Sequence, residues 1–277
     1  MMTTSFDQGV GDASPSRPLP PPVLHPRDRL LATVSHELRQ PLSLIQMHAD
    51  QLTSLSVAIE YPAVARVGDM IKRAVKSQGR IIDDLLDLSR VRTGKLVLDR
   101  ATVDIGDVFS ILSDAFRSEA AGRLPNIELV VSGTATCFGD RTRIEQVLGN
   151  LLRNAIRFTP LHGRIRIDVG RDGAFLKASV IDNGCGISAD FLPHVFDMFN
   201  QEVLHSRPSH GGLGIGLALV QELTEAHGGR VEALSKGPGH GAQFNVWLPA
   251  FDASSIKTAT CIALGTIVPS EDERGTP

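Results

Sequence analysis

The chain has 277 residues, of which 42% are hydrophobic and 21% charged, which suffices for one or two domains with real cores and excludes disorder throughout. Its net charge is -3 and it has no long basic run, so there is no electrostatic case for nucleic acid as the main partner. No run of about 18 apolar residues and no signal-peptide pattern is present, so we expect a cytoplasmic chain without a membrane segment.

The three cysteines are expected to be reduced thiols. Cys137, Cys185 and Cys261 have neither the spacing of metal ligands nor an even count. We therefore expect neither a disulfide nor a zinc site.

A long helix is predicted after a disordered, Pro-rich lead-in over residues 1–25. From Pro26 to about Ile59, apolar residues recur every three or four positions. His36 lies about 200° around the helix from the apolar Val34, so it projects away from the apolar stripe. Pro41 should bend the helix one turn after His36, because proline lacks the backbone N–H donor.

A second helix is predicted from Pro62 onwards, with an apolar repeat that runs from Val64 to Val91. Gly94 marks its end. The two helices form an antiparallel hairpin over residues 26–95. Two helices with one stripe each bury both stripes well only in a four-helix bundle, so we predict a homodimer. A dimerisation coiled coil without any chemistry explains this periodicity equally well.

The composition changes to mixed α/β over residues 96–250. Helices are expected near 103–121, 142–158 and 213–227, and strands near 127–132, 164–170, 175–182, 231–235 and 243–248. This order predicts a two-layer α/β sandwich with a mixed or largely antiparallel sheet, which makes the whole chain α+β. Residues 251–277 are expected to form a flexible tail or linker.

The first group of residues with chemical potential lies on one face of the helix near 142–158. Asn150, Asn154 and Arg157 occupy positions i, i+4 and i+7. An amide oxygen suits Mg²⁺ with its bound water, and a cation suits phosphate. A solvated polar face explains such a trio equally well.

The second group follows an apolar strand, at Asp182-Asn183-Gly184-Cys185-Gly186. A carboxylate at a strand end can accept a hydrogen bond from an exocyclic amino group such as that of adenine. The two glycines let the backbone approach a flat ring. Taken alone, this string more often marks a tight turn.

Two further groups flank a polar stretch over residues 200–210. Before it, Phe196 and Phe199 either anchor a mobile lid or pin an ordinary surface loop into the core. After it, Gly212, Gly214 and Gly216 run straight into an amphipathic helix, where backbone N–H groups can cradle phosphate. A dinucleotide-binding loop is disfavoured because no strand precedes the glycines.

The order and spacing of these groups behind the His36 helix resemble the transmitter core of sensor histidine kinases, over about residues 27–250. The resemblance implies a dimerisation and histidine-phosphotransfer hairpin over 26–95, followed by an ATP-binding domain of the Bergerat type over 96–250. It also implies an enzyme that phosphorylates its own histidine from ATP and passes the phosphate to an aspartate on the receiver domain of a response regulator.

The resemblance further assigns roles to single residues. His36 becomes the phosphoacceptor and Glu37 its acid/base partner. Asn154 becomes the residue that holds Mg²⁺. The residues assigned to the nucleotide are Asn150, Asn154, Arg157, Phe158, Asp182, Gly184, Gly186, Gly212, Gly214 and Gly216.

Two positions depart from relatives. Members of the superfamily that hydrolyse ATP carry a glutamate base where this chain has Asn150, so we expect ATP to be retained until a histidine is presented. Gln40 stands where many kinases of this type have Thr or Asn, so we expect weaker phosphatase than kinase activity.

Three alternatives to a kinase remain open from the sequence. The chain could be a dimeric scaffold that binds nucleotide, or a phosphatase-type regulator without net kinase activity. An ATP-driven clamp of the Hsp90 or MutL kind would hydrolyse ATP without needing His36.

Overall fold

The computed structural model describes residues 26–54, 61–120, 123–202 and 213–251, with backbone only at 26–37 and 40. The lead-in over 1–25, the hairpin turn at 55–60 and the tail from 252 onwards lie outside these residues. Among the residues that are described, no helix is both long and apolar enough to cross a membrane.

Two long helices form the predicted hairpin. Helix α1 spans Pro26–Ser54 and continues through Pro41, and α2 spans Pro62–Arg92. They run antiparallel, because Thr53 near the end of α1 contacts Gly68, whereas Arg39 pairs with Asp83 further along α2. Proline suits the first position of α2, where an N–H has no helical partner anyway.

A mixed α/β unit follows, and its elements are, in chain order, β1 (Ala101–Asp104), α3 (Ile105–Glu119), β2 (Asn126–Ser132), β3 (Thr136–Gly139), α4 (Arg141–Phe158), β4 (Arg164–Asp172), β5 (Phe175–Asp182), a 3-10 turn (Leu192–His194), α5 (Gly216–Ala226), β6 (Arg230–Leu234) and β7 (Gln243–Pro249). The main sheet has the order β2-β4-β5-β7-β6, and only its β2–β4 pair is parallel. The mixed sheet is confirmed. The short β1–β3 pair adds a strand, β3, that was not predicted.

The core lies between this sheet and its helices. Along β4, Ile165, Ile167 and Val169 are buried while the residues between them are more exposed, which is the alternation of a strand with one covered face. Leu152 of α4 and Leu219 of α5 are fully buried in the same cluster. Burying each such side chain stabilises the fold by about 1.5–3 kcal/mol. The two-layer sandwich is thereby confirmed, and the core fixes α4 and α5 against the sheet.

The ends of α4 and α5 have local causes. The Asp140 carboxylate accepts a hydrogen bond from the Arg143 backbone N–H at 3.2 Å, which caps the start of α4. Helix α5 begins at Gly216, three residues later than the predicted position 213. Gly214 has φ of 68°, a left-handed conformation that cannot continue a helix and that glycine adopts without strain.

Candidate functional site

Asp182 ends β5 as a buried carboxylate. Its Oδ1 accepts hydrogen bonds from the backbone N–H groups of Gly184, at 2.8 Å, and Ala242, at 3.3 Å. Burial raises the pKa of Asp182, and these two hydrogen bonds partly offset the effect. Among the described residues Oδ2 has no hydrogen-bond donor, so this oxygen can accept a bond from a ligand.

Two backbone loops meet beside Asp182. The Gly239 N–H donates to the Cys185 carbonyl at 2.6 Å, and the Gly241 N–H donates to the Gly184 carbonyl at 3.2 Å. A Cβ at Gly241 would collide with the Asp182 carbonyl oxygen, so only glycine permits this approach. Gly186 packs in the same way against the Gly237 carbonyl. The result is a wall of bare backbone, which suits a flat ring.

Asn150 lies in the middle of α4 and faces the start of α5. It is 8% exposed, and its Oδ1 accepts a hydrogen bond from Arg153 Nη2 at 2.5 Å. The same oxygen is 3.6 Å from the position that a Cβ on Gly216 would take. Its Nδ2 is buried and has no hydrogen-bond partner in the described part of the chain. A buried donor without a partner costs folding free energy. Asn150 Nδ2 is therefore suited to a ligand that accepts a hydrogen bond, such as a phosphate oxygen.

The other residues predicted on α4 are arranged differently. Asn154 is half-buried and shows no side-chain hydrogen bond within the described ranges, so its amide oxygen can serve a cation. Arg157 is exposed, and its guanidinium lies 5.1 Å from the centroid of the half-buried Phe158 ring. Partial burial lowers the pKa of Arg157. The ordinary pKa of arginine is so high that the side chain stays charged all the same.

The glycine-rich segment supplies backbone to the same pocket. Gly216 opens α5, where unpaired N–H groups and the helix dipole favour an anion. Gly214 precedes it, packed against the backbone of Phe199 and Asn200. Gly212 lies outside the described residues.

The two phenylalanines of the turn before the glycines differ from each other. Phe196 is half-buried and packs edge-on against Phe244, with ring centroids 6.3 Å apart, so it is a core residue. Phe199 is 46% exposed and has φ of 60°, an unusual conformation for a residue other than glycine. The lid prediction for 200–210 falls mostly on residues outside the described ranges.

His36 and Glu37 lie in the described backbone of α1, but their side chains fall outside the described part. α1 packs on α2, and α2 is bonded to α4 through a set of residues that we call the polar seam, Asp84, Asp87, Arg143 and Gln146. Arg143 Nη1 donates to Asp87 Oδ2 at 2.6 Å. Gln146 Nε2 donates at 3.0 Å to Asp84 Oδ1 and to Asp87 Oδ2. Helix α2 thus packs on α1, which carries His36, and is also bonded to α4, which carries Asn150 and Asn154.

Three parts of this arrangement were missed from the sequence. The glycine run 237–241 is visible there, but its contact with Asp182 depends on residues 60 positions apart. Arg153 stands between the two asparagines, and no motif in the sequence indicates its bond to Asn150. The polar seam gives no periodic signal, because acidic residues on a helix normally face water.

Comparisons with known proteins agree with this geometry. Residues 26–94 match the family described as "His Kinase A (phospho-acceptor) domain". Residues 139–252 match the family described as "Histidine kinase-, DNA gyrase B-, and HSP90-like ATPase". The two matches cover the helical hairpin and most of the α/β unit.

Individual relatives are longer than this chain. The alginate biosynthesis sensor protein KinB of Pseudomonas aeruginosa is 33% identical, over 80% of this chain and 37% of its own length. The signal transduction histidine-protein kinase BaeS of Escherichia coli is 30% identical, over 80% of this chain and 47% of its own length. The chain therefore spans less than half the length of either relative.

A solved structure shows the same architecture. Full-length ShkA in complex with AMPPNP superposes with a TM-score of 0.66 at 28% identity, over 82% of this chain and 46% of that one. The histidine kinase AdeS of Acinetobacter baumannii, at 22% identity and a TM-score of 0.55, shares the fold. With its phosphoacceptor hairpin and its ATP-binding domain, this chain carries the transmitter core that is found in sensor histidine kinases.

Proposed function

We propose that this chain is an ATP-dependent protein-histidine kinase of a two-component system, with a phosphotransfer hairpin at 26–95 and an ATP-binding domain at 96–250. One observation carries the proposal. Helix α2 packs on α1, the helix of His36, and through the polar seam it also holds α4, the helix of Asn150 and Asn154. The phosphoacceptor helix and the nucleotide pocket are thus joined through one shared element.

The described residues fit a nucleotide. Asp182 Oδ2 is placed to accept a bond from the exocyclic amino group of adenine. Asn150 Nδ2 and the backbone N–H groups at the start of α5 are donors for phosphate oxygens. Arg157 supplies positive charge. Asn154 would hold Mg²⁺ through its amide oxygen, and the metal, when bound, offsets charge on the phosphates.

The reaction follows from neutral imidazole chemistry. One ring nitrogen of His36 attacks the γ-phosphorus in line, a P–N bond forms, and the P–O bond to ADP breaks. Glu37 accepts or orients the proton on the other ring nitrogen. The phosphoramidate is labile, so an aspartate carboxylate of a receiver domain can take over the phosphoryl group.

The working form in this proposal is a homodimer. Leu38 and Ile45 of α1 remain 48% and 45% exposed and line an apolar groove with Ile81 and Leu85 of α2. A second hairpin of the same kind would cover this groove in a four-helix bundle. Because the reaction consumes ATP, we place these domains in the cytoplasm.

The test is phosphate transfer from ATP labelled at the γ position, in the presence of Mg²⁺. Wild type should gain label that is lost in acid and kept in alkali, and His36→Gln should gain none. A panel of receiver domains added to the labelled protein should take up the label. A wild type that binds ATP without becoming labelled would instead support a nucleotide-binding scaffold. Rapid ATP hydrolysis by His36→Gln would support an ATP-driven clamp.

A further inference from the structure

Within the described ranges, Arg153 is bonded to the nucleotide pocket through its donation to Asn150 Oδ1 at 2.5 Å. A guanidinium only donates hydrogen bonds, so it fixes which end of the Asn150 amide is oxygen. With that oxygen occupied, the group left for a ligand is Nδ2, which is buried without a partner in the described residues. Asn150 is therefore set to donate to an anion and not to ligate a cation.

The surroundings of Arg153 lie on other elements. Arg80 and Asp84 of α2 and Glu119 of α3 are the charges that act on it, and burial lowers its pKa from a very high ordinary value. Arg153 also lines the cleft of about 440 Å³ between the hairpin and α4. Asp84 in turn accepts the Gln146 bond of the polar seam. Arg153 therefore lies between the phosphotransfer hairpin and the phosphate end of the pocket.

We infer that Arg153 is a positioning residue, which holds the Asn150 amide so that Nδ2 donates to a phosphate oxygen of ATP, and that the negative charge of Asp84 on α2 favours this position of Arg153. This inference rests on the proposed function, since it concerns how the same pocket grips the phosphates. It adds that the hairpin takes part in nucleotide affinity and does not only supply the phosphoacceptor.

The experiment compares the affinities of the full chain for Mg²⁺-ATP and for adenosine, by titration calorimetry. Arg153→Met keeps the length of the stem and removes the donor. Losing a hydrogen bond that involves a charged group should weaken ATP binding about tenfold. Adenosine has no phosphates, so its affinity should not change. Arg141→Met is the matched control on the same helix, because the ion pairs of Arg141 in the part of the chain that is described are with the exposed Glu145 and Asp107. It should bind both ligands as wild type does.

The link to the hairpin is tested with Asp84→Asn. Alone it should weaken ATP binding about threefold, and in the Arg153→Met background it should add nothing, because the charge of Asp84 acts on the pocket through Arg153. Arg153→Lys should restore part of the ATP affinity, since lysine still donates.

Several results would overturn the inference. One is an unchanged ATP affinity in Arg153→Met, and another is an equal loss for adenosine, which would mean a purely structural role. A wild type that gains no affinity from the phosphates also contradicts it. The proposed kinase activity is read separately, from label on His36: a shifted ATP-to-adenosine ratio without label would keep this inference and reject that function.

Discussion

Asp182 accepts both of its hydrogen bonds on Oδ1, so an asparagine can keep them while losing the charge. Its pKa is raised mainly by burial. For such a carboxyl the stabilising contribution is present below the pKa of the unfolded chain and is lost as pH rises through the folded pKa. At neutral pH the ionised group therefore destabilises the protein without ligand.

Asp182→Asn should accordingly raise the Tm of the nucleotide-free protein at pH 7, by about 2 °C or more, and the gain should shrink towards pH 4. Its affinity for ATP should fall at least about tenfold, because the asparagine Nδ2 would face the adenine amino group, donor to donor. Scanning calorimetry across this pH range and nucleotide titration measure the two effects.

Asp114→Asn is the matched control, because Asp114 is an exposed helix carboxylate paired with Arg117. It should leave the pH dependence of Tm and the ATP affinity as in wild type. A gain for Asp182→Asn that is the same at pH 4 and pH 7 would show that its ionisation is not the cause.

The polar seam joins α2 to α4 through the carboxylate of Asp87, a residue that is only 6% exposed. Arg143 supplies the compensating charge and Gln146 a second donor. Removing one partner of a buried pair typically costs 3–5 kcal/mol. Arg90 Nη1 lies 3.5 Å from Asp87 Oδ1 and offsets part of the lost charge, so the cost should fall at the low end of this range.

Arg143→Met should therefore lower the free energy of unfolding by about 3 kcal/mol. Combining it with Asp87→Asn should recover part of the loss, because no buried charge is then left unpaired. Urea denaturation followed by circular dichroism measures both. The exposed pair of Arg166 with Asp168 provides the comparison, and Arg166→Met should cost at most about 1 kcal/mol. Equal losses for Arg143→Met and Arg166→Met would contradict a buried role for the seam.

The elements show which parts of the molecule the sequence predicts well. The hairpin, the mixed sheet and α4 follow from periodicity and helix-end signals, which are local. The start of α5 was placed three residues early, because Leu213 fits the apolar repeat whereas the left-handed Gly214 excludes a helix there. The short β3 was missed because four residues carry little pattern.

The candidate site also has parts that local sequence predicts and parts that it does not. The choice of Asn150, Asn154 and Asp182 rests on motif and spacing. The Arg153 bond and the loop at 237–241 depend on which residues meet in space, and one sequence does not contain that information. The roles of His36, Glu37 and Gln40 remain predictions from the sequence.

The apolar groove on the hairpin predicts self-association of the chain. Replacing Leu38 and Ile45 with glutamate places charge on the face that a second hairpin would bury. We expect this double variant to sediment as a monomer where wild type sediments as a dimer. Leu161→Glu changes an equally exposed leucine in the α/β unit, and this control should remain dimeric. A dimeric double variant would place the interface elsewhere.

The wall of the nucleotide pocket joins residues that are 60 positions apart, and so it exists only once the sheet is complete. A ligand that needs this wall binds the folded state and ignores the unfolded one. By mass action, ATP at a hundred times its Kd then adds about 2.7 kcal/mol of stability, or about 5–10 °C in Tm.

Scanning fluorimetry with increasing Mg²⁺-ATP should show this rise, and Asp182→Asn should flatten it. A Tm that does not depend on nucleotide in wild type would show that the wall does not bind ATP. If ATP stabilises the protein in this way, its lifetime in a cell follows the ATP level. When ATP runs low, the nucleotide-free form is the one that heat and proteases remove first.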